Sequence, residues 1–410
     1  MSPIVLIIGC GVAGPVLAIL LKRKGYKPIV FEKIKELGDA GASLMLMPNG
    51  LKVLGLVDLA NQLLDSAPHL SEFRDQASSG AKLGVSHIPS TMLERYGQPA
   101  AGVKRTALNL ALKQLLIDNG IEIHEGWKLE DIEEKEDEVI ASFEGGRRAE
   151  GSFLIGSDGI KAVSRGLLMK RNGIAEGVPA YTGLTQTSGI SPTPLSIEGR
   201  PSLLNIYGLG AHFITYPISN THSSWAITLP ETTEAQENWR LYKPEEIAAL
   251  KNDILLEFAN WSSPVPELIE GAERMLKFGL YDRKELMPEQ WHSGRCVLLG
   301  DAAHPTSPHL GQGANQALED CYHLSIRLPV VNSQSFSLSK QELTRIFQLF
   351  AEKRQPRTAA LVNGARAQGS RRVVTGGAAA CQERDEAVKK VWQDEEAVEA
   401  KYDHLFREPF

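Results

Sequence analysis

The chain opens on an apolar run, "IVLIIGCGVAGPVLAILL" (4–21), without one charged position. A membrane-spanning helix needs about 20 mainly apolar residues, and a secretory signal needs a basic leading segment with a small-residue cleavage site. This run has no basic lead, and Gly9, Gly11, Gly14 and Pro15 interrupt it. It reads as two elements: a buried strand over 3–8 and a helix over 12–24, with Pro15 near the first turn, where a missing N–H costs little. "YKPIVFEK" (26–33) is a second strand, and "NGLKVLGLVDLANQLLDSA" (49–67) has helical apolar spacing. "RTALNLALKQLLIDNG" (105–120) is an amphipathic helix closed by Asn119-Gly120, followed by the strand-like "IEIHEG". "EDIEEKEDE" (130–138) reads as a solvated turn between strands. From 180 to 230 the pattern changes: "LLNIYGLGAHFITYPI" and "SSWAITLPE" alternate with turn residues, as antiparallel strands do. From 338 onward it returns to richly charged helix without a readable motif.

Length and composition sharpen this picture. At 410 residues the chain exceeds one typical domain, so two lobes are expected. The formal net charge of −6 offers no basic footprint for nucleic acid, and no stable membrane insertion is expected. Cys10, Cys296, Cys321 and Cys381 are scattered without CxxC spacing, which argues against a metal site or a disulfide framework and for a reducing, cytoplasmic setting. A monomer or homodimer is compatible with all of this.

Gly9-Cys10-Gly11-Val12-Ala13-Gly14 lies between a strand and a helix, the context that makes GxGxxG a dinucleotide fingerprint. The first glycine makes the tight turn, the second admits a pyrophosphate to the backbone, and the third lets helix pack on sheet. Val12 and Ala13 open the helix whose free N–H groups face the phosphates. Glu32, 18 residues after Gly14, sits where a ribose-binding carboxylate belongs, with Lys33 beside it. Two further signatures follow. "GSFLIGSDGIKAVSRGLL" (151–168) puts Asp158-Gly159 directly after an apolar strand. In "GRCVLLGDAAHPTSPHLGQGANQALED" (294–320) a strand ends at Gly300-Asp301, a proline-rich loop follows, and Gly311 to Asn315 opens a helix whose N-terminus favours negative charge.

In that order the three motifs resemble the single-component (class A) flavoprotein monooxygenases, over residues 3 to about 360. "AYTG" (180–183) and "HFITYP" (212–217) are similar to the salicylate hydroxylase, 3-hydroxybenzoate 6-hydroxylase and 6-hydroxynicotinate 3-monooxygenase branch. The resemblance implies an α/β fold: a discontinuous Rossmann-like FAD-binding domain of the para-hydroxybenzoate hydroxylase kind (1–75, 101–178, 286–335). A mixed, largely antiparallel substrate sheet (76–100, 179–285) and a C-terminal helical region (336–410) complete it. It also implies FAD as cofactor, NADPH or NADH as reductant, O2 as co-substrate, and a small aromatic substrate. Gly9, Gly11, Gly14 and Glu32 then match the ADP-ribose site and Arg105 the flavin phosphates. Asp158 matches the motif linked to FAD and NAD(P)H, and Asp301 matches the ribityl-binding acid. Gly311, Gly313, Ala314 and Asn315 match the backbone at the isoalloxazine, and Ala42 is a further candidate there.

The implied chemistry is oxygen transfer from a flavin hydroperoxide to an electron-rich ring carbon, with decarboxylation where that carbon bears a carboxylate. Removing a phenolic proton activates the ring, so a general base is wanted. His212 heads "HFITYP" and matches the histidine that relatives place near the substrate hydroxyl, with Tyr216 on the same strand face. Met45 and Met47 alternate with Leu44 and Leu46, so one pair faces the ring cavity, while Pro308 and His309 lie in the proline loop beside it. His304 reads as a structural residue of that loop. Two other readings share these motifs: an epoxidase of an alkene or indole, and a flavin-linked reductase or FAD-binding protein that never activates oxygen. One departure stands out. Many relatives carry an arginine soon after "YTG", whereas "LTQTSGI" has none, so nothing in that stretch recognises a substrate carboxylate.

Overall fold

The computed structural model describes residues 2–36, 43–234, 241–332 and 336–410. The opening apolar run is a strand, Ile4–Ile8, and a helix, Ala13–Arg23, with Pro15 buried in its first turn. Among the described residues no helix is long and apolar enough to cross a membrane. Ile4–Ile8 is the inner strand of a six-stranded sheet, paired in parallel with Lys27–Glu32 on one side and Phe153–Gly156 on the other. Glu122–Glu125 and Cys296–Leu298 extend it in parallel, and His292–Ser293 closes one edge. Such strands read as unbroken apolar runs because both faces are covered. One face carries the Ala13–Arg23 and Gly313–Arg327 helices. On the other, Phe143 of a three-stranded sheet stacks on Phe31 at 4.6 Å between ring centroids.

Helix and strand expectations around this core hold, with two local differences. The 49–67 stretch breaks into Pro48–Gly55 and Ala60–Leu64 where Asp58 adopts a positive φ of 63°. The acidic 130–138 stretch, expected as a turn, is strand as far as Glu134 and turns only over 135–138, and Glu134 is not solvated: its carboxylate is buried and paired with Arg171 and Lys340.

The second sheet has seven strands, in the order Arg274–Asp282, Ala180–Pro192, His222–Pro230, His212–Pro217, Ser202–Tyr207, Glu72–Ala77, Lys82–Ser86. Its neighbours are antiparallel except Ser202–Tyr207 against Glu72–Ala77. That pairing corrects the expected boundary at 75/76, because the whole Glu72–Ala77 strand belongs to this sheet. Alternation gives the sheet two faces. Phe213, Trp225 and Ile227 pack beneath the Pro244–Phe258 and Val265–Glu270 helices. The other face turns toward the FAD-motif lobe.

The C-terminal residues are not a separate lobe. The 33-residue helix Lys340–Arg372 starts beside the first sheet and ends against the second, a span of about 50 Å at 1.5 Å per residue. Gly377–Gln393 then covers the edge strand Lys82–Ser86, where a Cβ on Gly84 would lie 1.9 Å from Trp392 Cδ1.

A buried charge cluster fixes the long helix to the rest. Arg354, fully buried, donates to Asp320 Oδ1 (2.7 Å) and Glu319 Oε2 (2.5 Å), both carboxylates being equally buried. Arg357 donates twice to Glu319, and Asp320 Oδ2 also accepts from the Gly300 backbone N–H (2.8 Å). Burial alone would raise the Asp320 carboxyl, but His304 and Arg354 beside it hold its pKa at about 2. Because that value is depressed, the stability it contributes is present above about pH 4 and lost as pH falls toward 2. Arg354→Met leaves two buried carboxylates short of their main partner. Urea unfolding of the FAD-loaded protein at neutral pH should show a loss of about 3–5 kcal/mol; a loss below about 1 kcal/mol would mean that the cluster does not hold the helix.

Candidate active site

The two lobes and the C-terminal helices enclose a cavity of about 600 Å³, the size of a cofactor or ligand site. Its floor on one side is backbone. Gly9, at φ +110°, turns the chain so closely that a Cβ would lie 2.4 Å from the Ser157 carbonyl oxygen, and a Cβ on Gly14 would lie 2.1 Å from the Gly9 carbonyl oxygen. Gly11 differs: a Cβ there meets nothing within 4 Å and would stand in open space at the cavity wall. Val12 and Ala13 line the same wall, and the Ala13–Arg23 helix starts with no side-chain cap and no acidic residue in its first turn. Free N–H groups and the positive end of the helix dipole therefore face the cavity.

The other cofactor-type residues sort into contact and support. Arg105 opens the Arg105–Asp118 helix and lines the cavity, as do Asp301, Gly311, Gly313 and Ala314. The Gly313–Arg327 helix is likewise uncapped by side chains, so a second helix N-terminus points at the site. Asn315 is fully buried behind it. Its Oδ1 accepts from Met47 N (3.0 Å) and its Nδ2 donates to the Met45 carbonyl (3.0 Å), tying the Ser43–Leu46 strand to the helix start. Met45, Met47 and Leu44 face the cavity, whereas Leu46 belongs to the core of the first lobe. Glu32 lies at the end of its strand, its carboxylate accepting from Cys10 N and Ile34 N at 2.9 Å each, while Lys33 beside it is exposed. The Asp158 carboxylate is taken up by Ser164, at both backbone and hydroxyl, so it is Ser157, Gly159 and Ile160 that meet the cavity. Ala42 lies outside the described residues.

Across the cavity stands the polar face of the seven-stranded sheet, and register places its residues in rows. Gln186, Thr228, His212 and Tyr207 form one row; Ser188, Ala226, Ile214, Asn205 and Asp75 form the next; Ser224 and Tyr216 belong to a third. In the third row the Tyr216 hydroxyl lies 2.7 Å from Ser43 Oγ, which donates to Ser224 Oγ at 2.5 Å, which in turn donates to the Gly189 carbonyl. With Ser43's proton committed to Ser224, Tyr216 gives its own proton to Ser43 and keeps a lone pair toward the cavity. Burial pushes the Tyr216 pKa up to about 12. Gly102 makes room for this ring, since a Cβ there would lie 2.5 Å from Tyr216 Cδ2.

His212 shares the strand face with Tyr216, but the cavity is lined by its neighbours Asn205, Tyr207 and His309, and not by its own ring. Asn205 Nδ2 donates to Asp75 Oδ1 (2.9 Å), so Asn205 Oδ1 is the acceptor for His212 Nε2–H at 3.2 Å and for Arg372 Nη2 at 2.9 Å. Full burial, then Arg372, His309 and Arg384, hold the His212 pKa well below its ordinary value. The expected direct contact between His212 and a substrate hydroxyl is therefore not how this arrangement is built. Pro308 and His309 do line the cavity; burial and Arg372 lower His309 to about 3, and its ring packs against Gly369 of the long helix. His304 is the structural residue expected: its backbone N–H donates to the Gly300 carbonyl (2.9 Å), and its ring stacks on Trp291 and bonds Asp320.

The family model described as "FAD binding domain" matches residues 3–335. The chain belongs to that family. Among curated relatives, the 3-amino-4-hydroxybenzoate 2-monooxygenase PtnB3 of Streptomyces platensis is 34% identical over 329 residues, covering 79% of this chain and 78% of the relative. The 6-hydroxynicotinate 3-monooxygenase of Bordetella bronchiseptica is 26% identical over 79% of this chain and 82% of its own. HpxO of Klebsiella pneumoniae, solved with FAD and uric acid, superposes with a TM-score of 0.79 at 22% identity, over 95% of this chain and 93% of that one. As a member of the FAD binding domain family the chain is an FAD-dependent monooxygenase, and the residues just described fit that cofactor: an open pyrophosphate cradle at Gly11 and two uncapped helix N-termini.

Sequence reasoning missed the residues from the C-terminal helices: Arg371, Arg372, Trp392, Lys401, Tyr402 and Phe406 all line the cavity. The available signal was the Arg371-Arg372 pair at the end of a long, richly charged helical stretch, which without a fold points nowhere.

The two glycines separate binding from folding. Gly11→Val should leave the apo-protein's thermal unfolding unchanged and weaken FAD binding about ten- to hundredfold, since a side chain occupies the cradle. Gly14→Val should lower the melting temperature of the apo-protein itself. Full FAD content in purified Gly11→Val would contradict the placement.

Proposed function

We propose that this chain hydroxylates a small aromatic compound bearing an ionisable ring hydroxyl, consuming NADPH or NADH and O2. The observation that carries the reading is the one-way hydroxyl chain from Tyr216 through Ser43 and Ser224 to the Gly189 carbonyl, set opposite the flavin-type backbone. Bound FAD, once reduced, supplies oxygen activation and transfer. The protein supplies the rest. Tyr216 accepts the hydrogen bond of the ring hydroxyl and draws electron density onto the oxygen, which enriches the ring carbons ortho and para to it. Its high pKa keeps it from competing as an anion. Trp392, Tyr402 and Phe406 from the C-terminal helices cover the chamber and keep water from it.

His212 acts at one remove in this reading. Its Nε2–H fixes the Asn205 carboxamide, which in turn bonds Arg372. The names of the relatives support hydroxy-aromatic substrates as a class, and the four free cysteines support a reducing, cytoplasmic setting.

A panel of hydroxybenzoates, hydroxynicotinates and alkylated phenols, scored by substrate-stimulated NAD(P)H oxidation and by product mass, tests the assignment. At least one member should give a product heavier by one oxygen, matched to NAD(P)H consumed. Tyr216→Phe should lower the coupled rate about 10²-fold while FAD is retained. The rate should follow the substrate's own phenolic pKa and show no inflection near pH 6.5, because His212 and His309 are held neutral. Oxidation of NAD(P)H without any oxygenated product across the panel would sink the reading in favour of a reductase.

A further inference from the structure

The sheet offers the cavity no arginine among the described residues; its cations on the substrate side come from the end of the chain. Arg372, the last residue of the Lys340–Arg372 helix, is 7% exposed and lines the cavity. Its Nη2 donates to a neutral amide oxygen, Asn205 Oδ1 (2.9 Å), and its Nε is buried with no hydrogen-bond partner. Buried arginines are ordinarily matched to carboxylates, as Arg354 is in the same helix. Here the nearby carboxylate, Asp75, spends its hydrogen bonds on Trp392 Nε1 (2.7 Å) and Asn205 Nδ2 (2.9 Å), so it and Tyr207 favour the Arg372 charge from nearby while Asp75 forms no direct ion pair with it. Arg371 and Lys401, both exposed at the rim, add to the charge, so the substrate side presents three cations against the single carboxylate of Asp75.

We propose that Arg372, delivered by the C-terminal helix and supported by Asn205 and Lys401, is the anion-recognition residue that orients a carboxylate-bearing hydroxy-aromatic substrate. The proposal rests on the hydroxylase reading above and deepens it. Register supports it. Asn205, which holds Arg372, lies opposite Ile214, one strand over and two residues from Tyr216, so Arg372 and Tyr216 line one face of the same cavity. An anionic group at Arg372 and a ring hydroxyl at Tyr216 can therefore belong to one small aromatic ligand. The guanidinium has a free N–H to offer, and its fork geometry suits a carboxylate.

The test compares 4-hydroxybenzoate with its neutral isostere 4-hydroxybenzamide, binding being read from the perturbation of flavin absorbance in the FAD-loaded protein. Wild type should bind the benzoate at least about tenfold more tightly. Arg372→Gln should weaken the benzoate by a similar factor, leave the benzamide within about threefold, and so erase the preference. Arg372→Lys should recover part of it. Lys401→Gln, at an exposed position, should lower benzoate affinity modestly and reduce its salt dependence. Should Arg372→Gln fail to fold, the wild-type preference and the Lys401→Gln salt slope still decide. Equal affinity of the wild type for the two probes overturns the proposal, as does an Arg372→Gln protein that keeps the preference. Coupled hydroxylation of neutral phenols with no preference for anions would sink this inference and leave the hydroxylase reading standing, whereas the absence of any hydroxylated product would remove the reading itself.

Discussion

The buried pairing of Arg354 with Glu319 and Asp320 is the contact on which the geometry of the site depends. Three charges with no solvent exposure carry a large desolvation cost, and only complete hydrogen bonding offsets it. Each partner is used more than once. Asp320 receives Arg354, His304 and the Gly300 N–H, which sets the turn that carries Asp301 to the cavity. Glu319 receives Arg354, Arg357 and Asn49 Nδ2 (2.7 Å), which fixes the Pro48–Gly55 helix and, through Met47 and Asn315, the strand behind the ring site. Such a cluster adds little net stability compared with an apolar core; what it does is fix register. The cofactor-side backbone, the proline loop and the long helix can meet in one way.

That fixed register carries consequences to the far side of the cavity. Arg354 and Arg372 lie on one helix, 18 residues apart, or about 27 Å at 1.5 Å per residue. Anchoring the first places the second against Asn205 and Tyr207 of the substrate sheet. The next helix crosses the edge strand at Gly84, and the last brings Tyr402 and Phe406 over the chamber. One end of the chain thus closes a site whose nucleotide wall is built by the other end. The sheet contributes a row of hydroxyls, the first lobe contributes N–H groups, and the closing helices contribute positive charge and apolar cover.

What could be read from the sequence follows the range of the interactions involved. The turn at Gly9 and the packing at Gly14 are local steric demands, so three glycines between a strand and a helix revealed them. The alternation in "HFITYP" correctly put His212 and Tyr216 on one face, because a strand's period is set by its own backbone. It could not tell that His212 is shut in behind Asn205 and Arg372 while Tyr216 lines the cavity, since that depends on a helix 160 residues further on. The boundary near residue 72 was missed for the same reason: Glu72–Ala77 joins its sheet by pairing in parallel with Ser202–Tyr207. Glu134 looked like one acid among many until Arg171 and Lys340 were brought to it. The absence of an arginine after "YTG" was visible; the replacement from the last helices was not.

The most direct measurement is a crystal structure of the FAD-loaded protein with 4-hydroxybenzoate. The account places the ligand between the flavin and the seven-stranded sheet, its carboxylate within about 3 Å of an Arg372 nitrogen and its hydroxyl at Tyr216. A ligand bound in the reverse sense, with its carboxylate at Tyr216 and Ser43, or one seated away from the sheet face altogether, would contradict it.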